Sequence, residues 1–354
     1  MSLDIGATER KVQNSLQHAD YGALVISLDF ELYWGVADLH APGSSYDANV
    51  LGARKLIPRL LALFEQAGLS ATWCTVGLLF ADNLVDAQRY FPEKRPRYAK
   101  RELSAYATAG TTGSHETLYY APELVRCIAS RPKQEVGTHT FSHYYCLEPG
   151  QDIQDFEADL IAAKRIAEKF NLSLRSMVFP RNQVNPSYLR VLVRHGVLCY
   201  RGTELSWMNS AAPRSEQRHW IKRAGRFADA YVNLSGHNTY SWDEVLDRNG
   251  LCNVRASRYL RPYSSVMRAF DKLRVQRVLE GMEEAARAHR IFHLWWHPED
   301  MGRNPEENLD VVRAIASRFG HLRNVYGMQA LSMRDIAHLV SPTRLHPTAT
   351  TSLA

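Results

Sequence analysis

Short apolar runs alternate with longer amphipathic stretches along most of the chain. The run GALVISL at 22–28 is apolar and contains β-branched residues, which predicts a buried strand. The segment 51–67 has helical periodicity, and Gly68 is placed to end that helix. The stretch LSATWCTV at 69–76 then returns to the pattern of a strand.

The clearest helical pattern lies at 153–170, where apolar residues recur at three- and four-residue spacing. Asp152 is available as its N-cap, and Asn171 stands just beyond its expected end. The other predicted helices are Pro122–Ala129, 186–195, 305–319 and 332–340. The other predicted strands are Gln134–Thr138, 174–179, 197–200 and 290–296. Repeated strand–helix units favour a parallel sheet, which we expect to be closed or nearly closed into a barrel.

Two segments interrupt this rhythm. Residues 82–115 include the basic run KRPRYAKR, and residues 207–263 show little periodicity. We interpret both as elaborated loops rather than separate domains. The sequence thus predicts one α/β barrel domain at 21–340, with an N-terminal extension at 1–20 and a flexible tail at 341–354.

The composition is that of an ordinary globular protein, with 45% hydrophobic residues among 354 to fill a core. The sequence shows neither a secretory signal nor a long uncharged apolar segment. The five cysteines are widely spaced and form no C-x-x-C pair, which argues against a disulfide framework or a cysteine zinc site. We therefore expect a cytoplasmic protein in a reducing compartment.

The chain is basic, with a net charge of +6 and an isoelectric point near 9.0. This charge favours anionic partners but does not separate nucleic acid, a phosphorylated sugar and a membrane surface. The basic run at 94–101 has no recognition helix or aromatic platform beside it, so we interpret it as a solvated loop and expect no nucleic-acid partner. Peripheral contact with a membrane stays open.

Reactive side chains follow four of the predicted strands. In chain order they are Asp29 with Glu31, His139 with His143, Arg181, and His297. The carboxyl ends of the strands of a parallel barrel converge on one mouth, so these side chains are candidates for one site.

Asp29 and Glu31 are separated by Phe30, and alternation along a strand points both carboxylates to one face. A base and a metal ligand would suit this pair, although an acidic residue that merely caps the next element is the alternative. His139 and His143 both reach one cation if the chain turns helically after its strand. Together with a carboxylate they make an open site that suits zinc, and iron(II), manganese, cobalt or nickel would fit too. The alternative is two partly buried histidines with ordinary hydrogen bonds.

The strand at 290–296 places His293 and His297 on one face. His297 ends the strand and is the candidate catalytic residue, whereas His293 lies deeper and is interpreted as a hydrogen-bonded core histidine. Arg181 is expected to pair with Asp29 and keep it ionised, because a buried arginine without a carboxylate partner is costly.

In this order the segments resemble the successive motifs of a known family. SLDFE at 27–31, GTHTFSH at 137–143, FPRNQ at 179–183 and LWWHPED at 294–300 resemble those of the polysaccharide deacetylases, the group related to chitooligosaccharide and peptidoglycan deacetylases that shares the NodB homology domain. The resemblance implies an irregular (β/α) barrel of about seven strands with loop insertions. It also implies that Asp29 is the general base, that His297 is the general acid and that Arg181 orients Asp29. The implied metal ligands are His139, His143 and Glu31.

The sequence departs from the family pattern in three places. Phe30 intervenes between two acids that are usually adjacent aspartates. FPRNQ at 179–183 lacks the aromatic residue that helps to form the oxyanion site, so the oxyanion donors are unassigned. The family's tryptophan-containing motif has only a weak candidate at 204–207.

The reactive side chains, together with the resemblance, predict a metal-dependent carbohydrate N-deacetylase. We expect an acetylated sugar linked to a nucleotide or lipid diphosphate in bacterial surface polysaccharide biosynthesis, because guanidinium groups match phosphate oxygens. The basic residues expected to contribute are Lys94, Arg95, Arg97, Lys100, Arg101, Arg255, Arg258 and Arg261. The alternatives are hydrolysis of another amide, such as a cyclic ureide or imide, and a catalytically silent glycan-binding barrel.

Overall fold

The computed structural model describes residues 19–113, 115–206, 208, 211–217 and 220–341. The expected N-terminal extension at 1–20 and tail at 341–354 lie almost entirely outside these ranges. Within the ranges, no helix is both long and apolar enough to cross a membrane.

The strands of the described residues form one sheet. They are β1 (Ala23–Phe30), β2 (Ala71–Thr75), β3 (Gln134–Thr138), β4 (Ser176–Val178), β5 (Cys199–Arg201), β6 (Cys252–Asn253), β7 (Arg258–Tyr259), β8 (Ile291–Trp296) and β9 (Gln329–Leu331). Their order is β6-β5-β4-β3-β2-β1-β8-β7, with β9 also paired to β1, and these strand pairs are parallel. The sheet curls into a partial barrel with helices around it, which confirms the predicted irregular (β/α) barrel.

Helices cover the outside of this sheet. They are α1 (Asp47–Ala67), α2 (Leu84–Gln88), α3 (Ala105–Ala109), α4 (Glu116–Tyr119), α5 (Pro122–Ala129), α6 (Ile153–Glu168), α7 (Leu189–Arg194), α8 (Arg214–Gln217), α9 (Trp220–Asp229), α10 (Asp271–Arg287), α11 (Pro298–Met301), α12 (Pro305–Tyr326) and α13 (Met333–Val340). Short 3₁₀ segments are Leu32–Gly35, Gly77–Phe80, Arg101–Leu103, Pro180–Asn182, Pro186–Tyr188, Trp242–Glu244 and Ser265–Phe270.

β1 lies at the centre of the sheet between β2 and β8. All eight of its residues are buried, which fits its apolar sequence because a parallel strand with helices outside is covered on both faces. The residues that the sequence predicts as helix boundaries are found at one end of α1 and at the start of α6. Gly68 closes α1 with φ of 69°, and Asp152 caps α6 through a capping box with Asp155.

Helix α10 has no counterpart in the sequence-based prediction. Its buried positions include Arg274, Arg277 and Gly281, which interrupt the apolar stripe that marks a helix. Gly281 packs so closely on β8 that a Cβ there would lie 2.5 Å from the ring of Phe292. Contact with the sheet therefore stabilises a helix whose own pattern is weak.

The two segments interpreted as insertions differ in structure. Segment 207–263 contributes β6 and β7 to the sheet, and strands of two residues are too short to show periodicity. In segment 82–115 the basic run lies on the surface. Lys94 donates to Asp152 at 3.0 Å, and Arg95 lies over the Phe91 ring at 5.2 Å.

Candidate active site

Three strand ends meet at one side of the barrel. Asp29 lies near the end of β1, His139 directly follows β3, and His297 directly follows β8. A cavity of about 600 Å³ opens at this side. Its innermost polar lining is formed by Asp29, Glu31, His143 and His297.

Glu31, His139 and His143 form a compact buried group that we call the metal triad. Oε1 of Glu31 lies 2.8 Å from Nε2 of His139 and 3.2 Å from Nε2 of His143. The ligand atoms of all three lie within 4.8 Å of one another. Thr140 and His143 have φ values of 64° and 55°, so the loop after β3 turns sharply enough to bring the second imidazole beside the first.

The donors of the metal triad fit a divalent cation. His139 is completely buried, yet neither of its ring nitrogens has hydrogen-bond geometry to any described residue, although Nε2 is close to Glu31. A cation among the three side chains would use the lone pair of Nε2, the His139 nitrogen that lies beside Glu31. Burial lowers the pKa of His143 to about 4 against the attraction of Glu31. Burial alone would raise the pKa of Glu31, but His143 and His297 hold it well below its usual value. Neutral imidazoles and an ionised carboxylate are the forms that bind metal.

Asp159 of α6 holds the loop that carries the two histidines. Its carboxylate accepts the backbone N–H of Phe141 at 2.6 Å and that of Ser142 at 3.2 Å. The hydroxyls of Ser142 and Tyr106 donate to the same carboxylate. Burial outweighs these donors and raises the pKa of Asp159 to about 6. The loop thus depends on a buried carboxylate that the sequence analysis did not identify.

Asp29 is held by Arg201 at the end of β5. Nη1 of Arg201 donates to Oδ1 of Asp29 at 2.7 Å, and Nη2 donates to Oδ2 at 2.6 Å. Arg201 is completely buried and also donates to Ser27 and Asn182. The paired donors fix both oxygens of the Asp29 carboxylate.

The expected pairing of Arg181 with Asp29 is therefore wrong. Arg181 follows β4 with φ of 55°, and its guanidinium lies 4.5 Å from the centre of the Tyr145 ring and donates to Asp38 at 2.7 Å. The strand predicted at 197–200 stopped one residue before Arg201, which placed that arginine outside the sheet. An arginine inside a buried strand requires a carboxylate partner, and this signal was present in the sequence. Arg181 does line the cavity, so a catalytic role for it stays a prediction.

His297 lies beside both acidic residues of β1 and its following turn. Nε2 of His297 is 3.8 Å from Oδ2 of Asp29 and 3.7 Å from Oε1 of Glu31. Its Nδ1 is 3.0 Å from Oδ2 of Asp300, which also accepts the Tyr259 hydroxyl at 2.6 Å. Burial alone would lower the pKa of His297, but Glu31, Asp300 and Asp29 raise it to about 10. His297 is thus protonated at neutral pH, as a general acid must be.

His293 is a core residue. Its Nδ1 lies 2.9 Å from the carbonyl oxygen of Val254, and its Nε2 lies 2.8 Å from Oγ of Ser27. The interpretation of His293 as a hydrogen-bonded core histidine is confirmed. Ser27 also accepts a hydrogen bond from Arg201, so His293 supports the arginine that holds Asp29.

Glu299 of α11 fixes the backbone that carries Glu31. Its carboxylate accepts the N–H of Glu31 at 3.1 Å and that of Leu32 at 2.6 Å. Burial and the negative charge of Glu31 raise the pKa of Glu299 to about 8. The sequence analysis missed this role, although Glu299 stands two residues after His297 in the LWWHPED segment.

No family model and no curated protein matches the sequence. Among solved structures, that of a candidate polysaccharide deacetylase from Mycobacterium smegmatis is 14% identical, covers 96% of this chain and 97% of its own, and has a TM-score of 0.55. The chain has the fold of the polysaccharide deacetylases.

Two further structures are similar to this chain at lower scores. PuuE allantoinase is 14% identical, with 93% of each chain covered and a TM-score of 0.47. A CE4 family pseudoenzyme from Bacillus anthracis is 10% identical, with 90% of this chain and 66% of its own covered and a TM-score of 0.40. The assignment of the deacetylase fold rests on the Mycobacterium structure.

On this deacetylase fold the lining of the cavity is rich in arginine. Six arginines line the cavity: Arg181, Arg214, Arg223, Arg226, Arg258 and Arg261. Of those that the sequence analysis expected near a phosphate, Arg258 is buried and pairs with Asp229 at 3.0 Å. Arg255 pairs with Glu244 at 2.8 Å. Arg261 does line the cavity, with Arg223 and Arg226 as neighbours that the prediction did not name.

Glu204 and Trp295 complete the wall of the cavity. Burial raises the pKa of Glu204 to about 7. Trp207, the other end of the weak motif candidate, lies outside the described residues. Trp295 packs against the Arg201 guanidinium at 4.1 Å and the His297 ring at 5.6 Å. An aromatic wall beside the candidate acid is thus supplied by β8.

Proposed function

We propose that the protein is a metal-dependent carbohydrate N-deacetylase. One observation carries this proposal: the metal triad, the Asp29 carboxylate held by Arg201, and the His297 imidazole lie together beside one cavity. A binding protein needs a pocket but no base and no acid, so this combination favours catalysis.

The proposed reaction hydrolyses an amide. Glu31, His139 and His143 would hold a divalent cation, which when bound would supply Lewis-acid polarisation of the amide carbonyl; we favour zinc, with iron(II), manganese, cobalt or nickel as other occupants. Asp29 takes a proton from the water whose oxygen bonds to the acetyl carbon, and Arg201 orients the carboxylate for this transfer. His297 gives its Nε2 proton to the amine nitrogen as the carbon–nitrogen bond breaks. The products are acetate and the free amino sugar.

The arginines that line the cavity support a substrate with an anionic group. A second hollow is lined by Arg223, Arg226 and Arg261, so these three lie together. Burial lowers the pKa of Arg226, the charges of Arg223 and Arg261 act in the same direction, and the charge of Glu204 opposes them. An anion among three guanidinium groups relieves this repulsion. We therefore infer a sugar linked to a diphosphate carrier, as used in bacterial surface polysaccharide biosynthesis.

The proposal places the reaction in the cytoplasm. All five cysteines are free, and four of them are buried. Free thiols suit a reducing compartment.

Mass spectrometry tests the proposed reaction. The protein is incubated with an N-acetyl amino sugar linked to a nucleoside diphosphate, with the same sugar unlinked, and with a cyclic ureide. We expect loss of one acetyl group, fastest from the linked sugar, and no product with Asp29→Asn. Turnover of the ureide alone would assign a different amide, and metal-loaded protein inert on all three would indicate a glycan-binding barrel.

A further inference from the structure

Large apolar side chains stand exposed beside the cavity. On α9, Trp220 is 73% exposed and Phe227 is 41% exposed. In the 3₁₀ segment Ser265–Phe270, Val266 is 88% exposed and Phe270 is 50% exposed, and none of the six residues is buried. We call Trp220, Phe227 and Phe270 the rim. Exposed apolar residues gathered at one place mark an interaction surface, whereas scattered ones need no explanation.

The two segments of the rim are joined through Tyr231. The Tyr231 ring lies 5.3 Å from that of Phe227 and 6.5 Å from that of Phe270. Trp220 and Phe227 are seven residues apart and so lie on one face of α9. Both line a hollow that shares three residues with the active-site cavity, namely Arg223, Arg226 and Arg261. The rim is therefore one surface, and it borders the mouth of the cavity.

Cationic side chains flank the rim. They are Arg223 on α9, three residues from Trp220 and four from Phe227, and Arg268 and Lys272, each two residues from Phe270. Of the acids nearby, Asp271 is held by Arg274 at 2.6 Å, and Asp229 is buried against Arg258. Apolar side chains next to lysine and arginine are the composition of a surface that lies in the interface of an anionic bilayer.

We propose that the rim docks on an anionic phospholipid bilayer and brings the mouth of the cavity to the membrane surface. Trp220, Phe227 and Phe270 enter the boundary between headgroups and acyl chains, and the flanking cations meet lipid phosphates. The biological role of this docking rests on the proposed function. Docking would present the deacetylase site to a sugar carried on a lipid diphosphate. The diphosphate of such a carrier then lies beside Arg223, Arg226 and Arg261.

Sedimentation with phospholipid vesicles tests the docking. We expect the full chain to bind vesicles of phosphatidylglycerol and phosphatidylcholine, to bind less at high salt, and to bind phosphatidylcholine alone weakly. Trp220→Ser combined with Phe270→Ser should weaken binding by about tenfold or more, because two large side chains no longer enter the bilayer. The matched control is Val85→Ser with Leu339→Ser, which removes side chains 66% and 50% exposed on α2 and α13 and should bind as wild type.

A parallel assay separates this inference from the proposed function. On a substrate with a water-soluble nucleotide carrier, Phe270→Ser alone, which changes a side chain that lines neither the cavity nor the hollow, should keep wild-type turnover. Protein that binds vesicles but deacetylates nothing would refute the function and leave the docking. The docking is overturned if wild type does not sediment with anionic vesicles, or if the rim variant sediments equally well. It is also overturned if the rim substitutions abolish a dimer, because a second copy would then cover the rim.

Discussion

At the scale of single residues, two arginines near the cavity have different partners. Arg201 binds both oxygens of Asp29, whereas Arg181 binds Asp38. Lysine keeps the charge of either arginine but lacks the paired donors. We expect Arg201→Lys to lower kcat by about a hundredfold, since the proton acceptor is misplaced, and Arg181→Lys to lower it less. Equal metal content in both variants is the control. A larger loss of kcat from Arg181→Lys would contradict the role of Arg201 and favour the predicted pairing of Arg181 with Asp29.

Asp300 lies 3.0 Å from Nδ1 of His297 and adds to the effect of Glu31, which raises the pKa of that histidine. A histidine that acts as an acid loses activity as the pH rises through its pKa, and Asp300 raises that pKa. Asp300→Asn should therefore shift the alkaline limb of the kcat/KM profile to lower pH by about one unit. Asp310→Asn, which alters an exposed acid of α12, should leave the limb in place. A limb unmoved in Asp300→Asn, or moved to higher pH, would contradict the role of His297.

At the scale of elements, α6 positions the loop after β3, which carries the two histidines of the metal triad. The loop adopts left-handed conformations at Thr140 and His143, and Asp159 ties its backbone to the helix. Asp159→Asn should lower metal affinity by about 10- to 100-fold, as other groups that support metal ligands do. Glu157→Gln changes a partly exposed acid of the same helix and is the matched control. Equal affinity in calorimetric titrations of both variants would show that α6 does not position the ligands.

The packing of α10 on β8 can be tested with two glycines. At Gly281 a Cβ would lie 2.5 Å from the Phe292 ring, whereas at Gly320 of α12 nothing lies within 4 Å. Gly281→Ala should lower the free energy of unfolding by about 1–3 kcal/mol through overpacking. Gly320→Ala should raise it by about 0.5–1 kcal/mol, because alanine loses less backbone entropy in a helix. Urea unfolding measures both, and equal effects would mean that α10 does not pack as the structure shows.

At the scale of the whole molecule, the residues at the strand ends are the part of the candidate site that the sequence predicts best. Asp29 lies near the end of β1, His139 directly follows β3 and His297 directly follows β8, and parallel topology alone brings such positions together. Arg201 was missed because its strand has three residues and ends on the arginine itself. Asp159 was missed because it lies on a helix far from any motif, and only the packing of α6 brings it to the loop. The sequence thus locates side chains that a regular element presents, and tertiary packing decides which partners hold them.

The proposed function depends above all on the metal triad. The most direct measurement is metal content and acetyl release on the same purified samples, for wild type and for His139→Ala with His143→Ala. We predict about one divalent cation per chain in wild type, with acetyl release that a chelator abolishes and added metal restores. The double variant should hold no stoichiometric metal and release no acetate. Full turnover in metal-free wild type, or in the double variant, would contradict the account.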